Sequence, residues 1–282
     1  MDAYIPQKSI NIPIETERLN ENIGQQFGAL IQRFDPISLV EMDSVKLMNR
    51  VDTKFLLNIH QLPMLLQRAA EHYRVVEIDG NRILPYSSIY FDTDDTIMYN
   101  MHHNGKLNRY KIRMRIYVQS GLSFLEIKRK NNKGRTSKKR IEIATDNFKQ
   151  MTFEANDKLF IHKRLPYSPE SLIPQLQNYF QRITLVDKCK TERVTLDLGL
   201  VFKNLNNQAM KAMDDLVIVE MKQDGACKSF FREYLDELNV LPGSMSKYCL
   251  GMVLVNPTVK YNSFKKKLRR INKITQKNYV TV

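Results

Sequence analysis

The chain contains 282 residues, 43% of them hydrophobic, and carries a formal net charge of +14 at pH 7. This length and hydrophobic content predict one large domain or two modest ones with a sizeable core. The charge favours an anionic partner, which is a nucleic acid, a membrane surface, or phosphorylated small molecules and polymers. No apolar run is long enough for a membrane-spanning helix or a signal peptide. Because the three cysteines also lack metal-site or redox spacing, we expect a cytoplasmic protein.

In chain order, residues 1–32 are predicted as an extended arm and an amphipathic helix, and the alternating segments that follow predict eight or nine strands. The strand candidates are residues 47–57, 74–78, 83–91, 109–117, 122–130, 136–143, 182–190, 192–202 and 217–222. Their short connections predict mostly antiparallel pairing. The turn Asp79-Gly80-Asn81 predicts a hairpin between the second and third candidates.

Helical spacing of apolar residues predicts helices between and after these strands. The candidates are residues 59–73, a short helix ending near His103, residues 146–179 with a break near Pro166 and Pro169, residues 228–238, and residues 244–254. Residues 257–282 contain eight Lys or Arg and no acid, and are predicted as a basic tail. The body is therefore placed at residues 33–256.

Residues 109–143 are predicted as a three-stranded meander in which each strand has one polar, mainly cationic face. Such a face cannot form a packed core, because unpaired buried charge costs several kcal/mol per ion. An open sheet that binds nucleic acid needs a set of aromatic residues on the charged face, and we expect no such set from Tyr110, Tyr117 and Phe124, because Tyr110 takes the apolar parity. We therefore predict an α+β fold with a closed antiparallel β-barrel of about eight strands, a cationic interior, and helices covering the outside.

Four acids share their strand faces with lysines and arginines: Asp52, Glu126, Glu142 and Glu220. Each is either a salt-bridge partner or a ligand of a divalent cation that also contacts phosphate oxygens. Mg²⁺ and Mn²⁺ suit the second role, since they prefer few carboxylates together with phosphates and water. No P-loop or dinucleotide-binding fingerprint accompanies them.

Seven short motifs occur in the order found in the VTC domain, which is the polyphosphate polymerase domain of the vacuolar transporter chaperone complex and a branch of the triphosphate tunnel metalloenzymes. They are Arg50-x-Asp52-x-Lys54, Ser88-Ile-Tyr-Phe-Asp-Thr93, Lys111-x-Arg113-x-Arg115, Leu125-Glu-Ile-Lys128, Ser137-Lys-x-Arg140, Val219-Glu-x-Lys222 and Ser246-Lys247-Tyr248. Over about residues 33–255 the chain thus resembles this family. The resemblance implies the triphosphate tunnel fold.

The resemblance also implies an activity, namely transfer of the γ-phosphoryl group of ATP to a growing polyphosphate with Mn²⁺ or Mg²⁺ as cofactor. The catalytic residues that it implies are Arg113, Arg115, Lys128 and Lys247. The implied phosphate-binding residues are Arg50, Lys54, Lys111, Lys138, Arg140, Lys190 and Lys222. The implied metal ligands are Glu220 and, with weaker motif support, Glu126.

One departure from the family pattern weakens the expectation of turnover. A Tyr-x-Arg motif of the family is read here as Lys188-x-Lys190, and lysine lacks the bidentate fork of arginine. A triphosphatase of the same fold and a non-catalytic polyphosphate- or nucleotide-binding module therefore remain alternatives. ATP and polyphosphate are the expected partners, and no nucleic acid is expected. The basic tail is either a solvated end, a contact to a separate membrane protein or anionic membrane surface, or a guide for polyphosphate.

Overall fold

The computed structural model describes residues 14–43, 50–133, 135–225, 228–243 and 245–280, and one sheet of eleven strands organises these ranges. The strands are β1 (Asp35–Ile37), β2 (Arg50–Asn58), β3 (Tyr73–Val76), β4 (Leu84–Asp92), β5 (Arg109–Tyr117), β6 (Ser123–Lys130), β7 (Thr136–Ile143), β8 (Ile173–Asp187), β9 (Glu192–Asn204), β10 (Met210–Met213) and β11 (Leu216–Asp224). The helices are α1 (Ile14–Ile31), α2 (Leu39–Asp43), α3 (Leu62–Ala69), α4 (Ile97–His103), α5 (Thr145–Gln150), α6 (Ala155–His162), α7 (Phe230–Glu237), α8 (Lys247–Val255) and α9 (Lys265–Thr275).

Eight of the strands follow the hydrogen-bonded order β2-β11-β9-β8-β4-β5-β6-β7, and neighbours in this order are antiparallel. The predicted α+β class, the antiparallel sheet and the β5-β6-β7 meander are therefore confirmed. The predicted closed barrel is not confirmed, because β2 and β7 are the two ends of this order and the described residues show no pairing between them. Strand β7 is exposed along most of its length and rich in lysine, which is a common way for an edge strand to avoid further pairing.

The two faces of the sheet are covered by different helices. On its outer face, alternate residues of β2, β8, β9 and β11 pack against α1, α3 and α7, with Phe55, Leu196 and Val219 fully buried. Strands β4 to β7 pack in the same way against α5 and α6. Because side chains alternate along a strand, the polar residues between these apolar positions lie on the other face. Helices α8 and α9 cover one part of that face by packing on apolar residues of β2, β4, β8, β9 and β11. The rest of the face carries the charged residues of the candidate site. The sheet curves around them, because Lys54 and Lys128 interact although they lie on β2 and β6, near the two ends of the strand order, and we call this the concave face.

The predicted hairpin between β3 and β4 is wrong. Both strands pair with the same side of the long strand β8, β4 with its first part and β3 with its last residues. The turn at Asp79 and Gly80, which both have positive φ, is an excursion between two collinear strands and closes with a bridge between Ile78 and Asn81. The residues of a turn show that the chain bends there. They do not show which strands pair, because that depends on which strands lie side by side in the fold.

Residues 173–179, predicted as helical, belong to β8. The misleading signal was the spacing of Leu172, Leu176 and Tyr179, which also suits a helix. This part of β8 is buried on both faces, as its neighbours Gln175, Asn178 and Phe180 are also buried. A strand buried on both sides loses the polar–apolar alternation that identifies a strand in a sequence.

Helix α9 lies within the segment predicted as a basic tail. Its Leu268 and Ile271 are buried in the same cluster as Tyr248 of α8, and Asn58 of β2 donates a hydrogen bond to the carbonyl of Ile274 at 2.9 Å. The lysines and arginines of this helix surround a narrow apolar stripe, so the helix docks on the body while most of its cations remain exposed. Strands β1 and β10 are too short to be recognised from sequence alternation.

Candidate phosphate-binding site

Two rows of charged residues cross the meander on the concave face. Arg113, Glu126 and Arg140 are register partners across β5, β6 and β7. Two residues away along each strand, Lys111, Lys128 and Lys138 form a second row in the same way. Residues that are directly opposite each other share a face, so the meander presents a block of cations around one central carboxylate. We call this surface the meander wall.

Glu126, at the centre of the meander wall, is only 2% exposed. It accepts a hydrogen bond from Nε of Arg113 at 2.6 Å and pairs with Lys138 through its other oxygen. Burial alone would raise the pKa of Glu126, but Arg113, Arg115 and Lys138 outweigh this effect and hold the pKa below its usual range. Glu126 therefore remains ionised and fixes two of the predicted phosphate ligands in position.

Arg115 differs from its neighbour Arg113, because no ion pair joins it to a carboxylate in the part of the chain that the structure describes. It is 6% exposed, donates to the hydroxyl of Ser88 at 3.0 Å, and lies 5.6 Å from the ring centres of Tyr86 and Phe180. Burial, followed by the nearby Arg113, lowers the pKa of Arg115 to about 10. A buried cation without an anionic partner is costly to hold, and a bound anion would relieve that cost.

The opposite wall consists of β2, β11, β9 and β8, and its cations are matched by acids. Nζ of Lys54 lies 3.1 Å from Glu220, whose second oxygen is 3.6 Å from Lys222. Deeper in the face, Arg182 donates to both oxygens of Asp197 at 2.6 and 2.9 Å. The acids of the opposite wall thus neutralise much of the charge of its cations.

Lys247 completes the Asp197 cluster from a different element. It is the first residue of α8, and it pairs with Asp197 of β9. Burial lowers the pKa of Lys247 to about 8, with Arg182 and Lys54 contributing and Asp197 opposing. The preceding residue, Ser246, caps this helix by accepting the backbone N–H of Cys249.

Ser246 also links the two walls. Its hydroxyl accepts a hydrogen bond from Nζ of Lys111 at 2.6 Å. Burial lowers the pKa of Lys111 to about 8, and Lys128, Arg109 and Lys54 contribute to the decrease. Lys54 lies on β2 and Lys128 on β6, so cations near the two ends of the strand order act on one buried amine. The two walls therefore lie close enough for their charges to interact, although the sheet does not close.

Lys128 reaches solvent, yet the surrounding protein reduces its hydration. Partial desolvation lowers the pKa of Lys128, and Lys54 adds to the decrease. Lys222 behaves in the same way, with burial as the main cause and the attraction of Glu220 opposing it. Burial is the main cause of the depressed lysine pKa values on both walls, and repulsion from neighbouring cations adds to it.

The structure brings together most of the predicted site residues. Those on the concave face are Lys54, Lys111, Arg113, Arg115, Glu126, Lys128, Lys138, Glu220, Lys222 and Lys247. Arg140 lies on the same face of β7 but is exposed, with its guanidinium 4.5 Å from the ring centre of Phe124. The backbone of Arg50 pairs with Asp224, while its side chain lies outside the described residues.

Lys190 does not join this group. It is exposed in the turn between β8 and β9, where its φ of 61° and a backbone hydrogen bond to Asp187 shape the turn. The concave face is occupied instead by Arg182, in the order Phe180-Gln181-Arg182. Sequence reasoning missed Arg182 because the preceding residues were assigned to a helix. The aromatic-x-Arg spacing was the signal that could have found it.

Asp197 is the second residue missed. Its alternation with Leu196 and Leu198 on β9 placed it on a polar face, yet nothing in the sequence shows that Arg182 and Lys247 meet there. These partners come from β8 and α8. Burial alone would raise the pKa of Asp197, but the two cations hold it below its usual range.

The donor set suits a divalent cation only in part. The described residues contain no cluster of three or more His, Cys, Asp or Glu that could form a metal site. Glu126 is enclosed by two cations, whereas the side chain of Glu220 keeps 19% exposure toward the concave face. Since Mg²⁺ and Mn²⁺ accept one or two carboxylates with phosphate oxygens, Glu220 fits a metal that arrives with phosphate.

The chain belongs to the VTC domain family, whose model matches residues 49–256. This match covers the concave face, both walls and helix α8. No curated protein sequence matches the chain. No helix among the described residues is both long and apolar enough to span a membrane.

Several solved structures are similar to this chain at low identity. A protein from Bacillus halodurans proposed to be an adenylate cyclase is 12% identical, with 71% of this chain and 96% of that chain covered and a TM-score of 0.47. An adenylyl cyclase candidate from Hippeastrum, described as having a dominant triphosphatase activity, is also 12% identical, with coverage of 71% and 94% and a TM-score of 0.48. Protein PH1819 from Pyrococcus horikoshii is 14% identical, with coverage of 72% and 98% and a TM-score of 0.39. These similarities are too weak to bear on function.

Proposed function

We propose that this protein is a polyphosphate polymerase that transfers the γ-phosphoryl group of ATP to a growing polyphosphate held between the two walls. The observation that carries the proposal is the excess of buried, poorly neutralised cations on the meander wall, above all Arg115 and Lys111. Membership of the VTC domain family supports the same reading. ATP and polyphosphate are the partners that this charge pattern would bind.

Phosphoryl transfer requires little covalent chemistry from a protein, so alignment and charge stabilisation dominate. A terminal phosphate oxygen of the polyphosphate would attack the γ-phosphorus of ATP while the bond from that phosphorus to the ADP oxygen breaks. The attacking oxygen is already anionic, and no general base is needed. Arg113, Arg115, Lys128 and Lys247 would stabilise the charge on the transferred group and align the two phosphate chains.

The two arginines would have separate roles. Arg113 is held by Glu126 and by the hydroxyl of Tyr90 at 3.3 Å, so its position is set before substrate binds. Arg115 has no carboxylate partner, so a bound phosphate would stabilise its charge more than that of Arg113. Arg113 is thus a hydrogen-bond donor fixed in place, and Arg115 beside it is a cation without an anionic partner. Together they favour binding of a polyanion along β5.

A divalent cation would add charge neutralisation on the phosphate oxygens when bound. Glu220 is the carboxylate that would hold it, with phosphate oxygens and water as the remaining ligands. Lys54 and Lys222 would then be free to turn toward the phosphates, because the metal would replace them as partners of Glu220.

A non-catalytic polyphosphate-binding module is the main alternative. It is favoured by the pairing of both candidate metal ligands with cations, since a metal would have to compete with these ion pairs. A triphosphatase of the same fold is the third reading.

Incubation of the full chain with ATP and Mn²⁺ separates the three. Long-chain polyphosphate with an equivalent amount of ADP supports the polymerase, and orthophosphate without polyphosphate supports the triphosphatase. Tight polyphosphate binding without ADP formation supports the binding module. The Arg115→Met variant is the control, because it should lose polyphosphate synthesis if the product is made on the concave face.

A further inference from the structure

A pocket of about 400 Å³ lies outside the two walls, between the end of α4, the beginning of β5 and the beginning of α9. His102, Arg109, Ser263, Phe264 and Lys267 are among the residues that line it. None of its lining residues is an acid. The pocket therefore has the composition of an anion site rather than of a packing defect.

Hydrogen bonds between the surrounding elements give the pocket a defined shape. The backbone N–H of Ser263 donates to Nε2 of His103 at 3.3 Å, which ties the turn before α9 to α4. Nδ1 of His102 lies 3.1 Å from the sulfur of Cys249, and Arg109 donates to the carbonyl of Lys106 at 2.7 Å. Phe264 is buried beneath them, with its ring edge-on to His102 and His103.

Cations of the meander and of α9 both act on His102, which lines the pocket. Burial is the main reason that the pKa of His102 falls to about 3, and Lys111, Arg109 and Lys267 lower it further. His102 is therefore neutral, while lysines from the meander wall and from α9 act on it together. The imidazole lies where the two groups of cations meet.

The geometry of β5 shows how the two places connect. Arg109, Lys111, Arg113 and Arg115 share one face of the strand, and alternate residues on a strand are about 7 Å apart. Arg109 is the last residue of this row and lines the pocket together with Lys267, so a chain of phosphates that follows the row past Lys111 would enter the pocket. No other described face of β5 offers such a row, because the alternate residues are packed in the core.

We propose that this pocket is a second phosphate-binding subsite, which takes the part of a polyphosphate chain that extends beyond the concave face. The inference rests on the proposed function to the extent that the concave face holds a polyphosphate. It commits to polyphosphate rather than to lipid, because the pocket joins the row of cations on β5 instead of standing alone on the surface.

The test compares two exposed lysines that are adjacent on α9. Lys267→Met removes a cation that lines the pocket, and Lys266→Met removes the same charge from a residue that does not line it. Dissociation constants would be measured by calorimetry at constant ionic strength, for inorganic triphosphate and for long-chain polyphosphate, without ATP. Turnover is not needed, so failure of the polymerase proposal would not affect the readout.

We expect Lys267→Met to weaken long-chain binding by about threefold to fivefold and to leave triphosphate binding unchanged. Arg109→Met should act in the same direction, and Lys266→Met should change neither constant. Equal weakening by both lysine variants would overturn the proposal in favour of non-specific attraction to a basic helix. Unchanged long-chain binding by Lys267→Met would also overturn it, and loss of binding to vesicles containing anionic lipid would then identify a membrane contact.

Discussion

The two walls of the concave face differ in how their charges are balanced. On the meander wall, Glu126 is shared between Arg113 and Lys138, and Arg115 has no acid of its own. On the opposite wall, Glu220 and Asp197 each engage two cations. The meander wall needs an external anion to offset its charge, whereas the opposite wall supplies its own. Under the proposed function, the first would hold the polyphosphate and the second would keep the fold stable without it.

Removing the buried acid of the opposite wall should have the largest effect. Asp197→Asn leaves Arg182 and Lys247 without their shared charge, and breaking a buried pair costs about 3–5 kcal/mol. Urea unfolding of the protein without ligand would measure this loss. Glu220→Gln is the matched control, because its ion pairs are more exposed and its loss of stability should therefore be smaller than that of Asp197→Asn. Equal losses in both variants would remove the distinction between buried and accessible pairs.

The Arg115→Met variant tests the unbalanced charge of the meander wall. The wild-type protein should gain about 2.7 kcal/mol in unfolding free energy when triphosphate is present at 100 times its dissociation constant. The variant should lose most of this gain, while its stability without ligand stays equal or rises, because a buried unpaired cation is removed.

Thermal unfolding with and without triphosphate measures both quantities. Arg129→Met is the control, since Arg129 lies on the other face of β6, with its guanidinium 5.6 Å from the ring centre of Tyr110. A variant Arg115→Met that keeps the full triphosphate shift would contradict the assignment of the meander wall.

The depressed lysine pKa values predict an unusual dependence of stability on pH. Lys111 and Lys247 have pKa values of about 8 in the folded protein, against an ordinary value of 10.5. Between about pH 8 and pH 10 the unfolded chain binds more protons than the folded one, so stability without ligand should increase with pH. Urea unfolding at pH 8 and pH 9.5 measures the slope, which should be smaller in Lys111→Met. Triphosphate affinity should fall over the same interval, because the lysines lose their charge.

The smallest effect should follow from Lys190→Ala. Lys190 is exposed in a turn away from both walls, so triphosphate affinity should change by less than about twofold. Calorimetric titration with triphosphate checks this. A large loss of affinity would mean that the β8–β9 turn closes over the ligand, and the comparison would then have to include a third surface.

The meander shows what strand alternation can predict. The cations of β5, β6 and β7 alternate with apolar residues, and this pattern correctly indicated three antiparallel strands with their charged residues on one face. Arg182 shows the limit of the method. Strand β8 is buried on both sides, so its sequence lacks the alternation, and a helical spacing was read instead. The same misreading moved the expected arginine position to Lys190.

The sequence alone determined the antiparallel α+β character of the fold, the family, and the cationic face of β5, because these properties depend on residue order within single segments. The tertiary structure decided which charges meet. Glu126 sits between Arg113 and Lys138, and Asp197 joins Arg182 to Lys247, through contacts between different elements. It also decided that β2 and β7 stay apart among the described residues, which strand alternation does not encode. Long-range pairing depends on sheet curvature and packing, so it becomes visible only when the whole chain is folded.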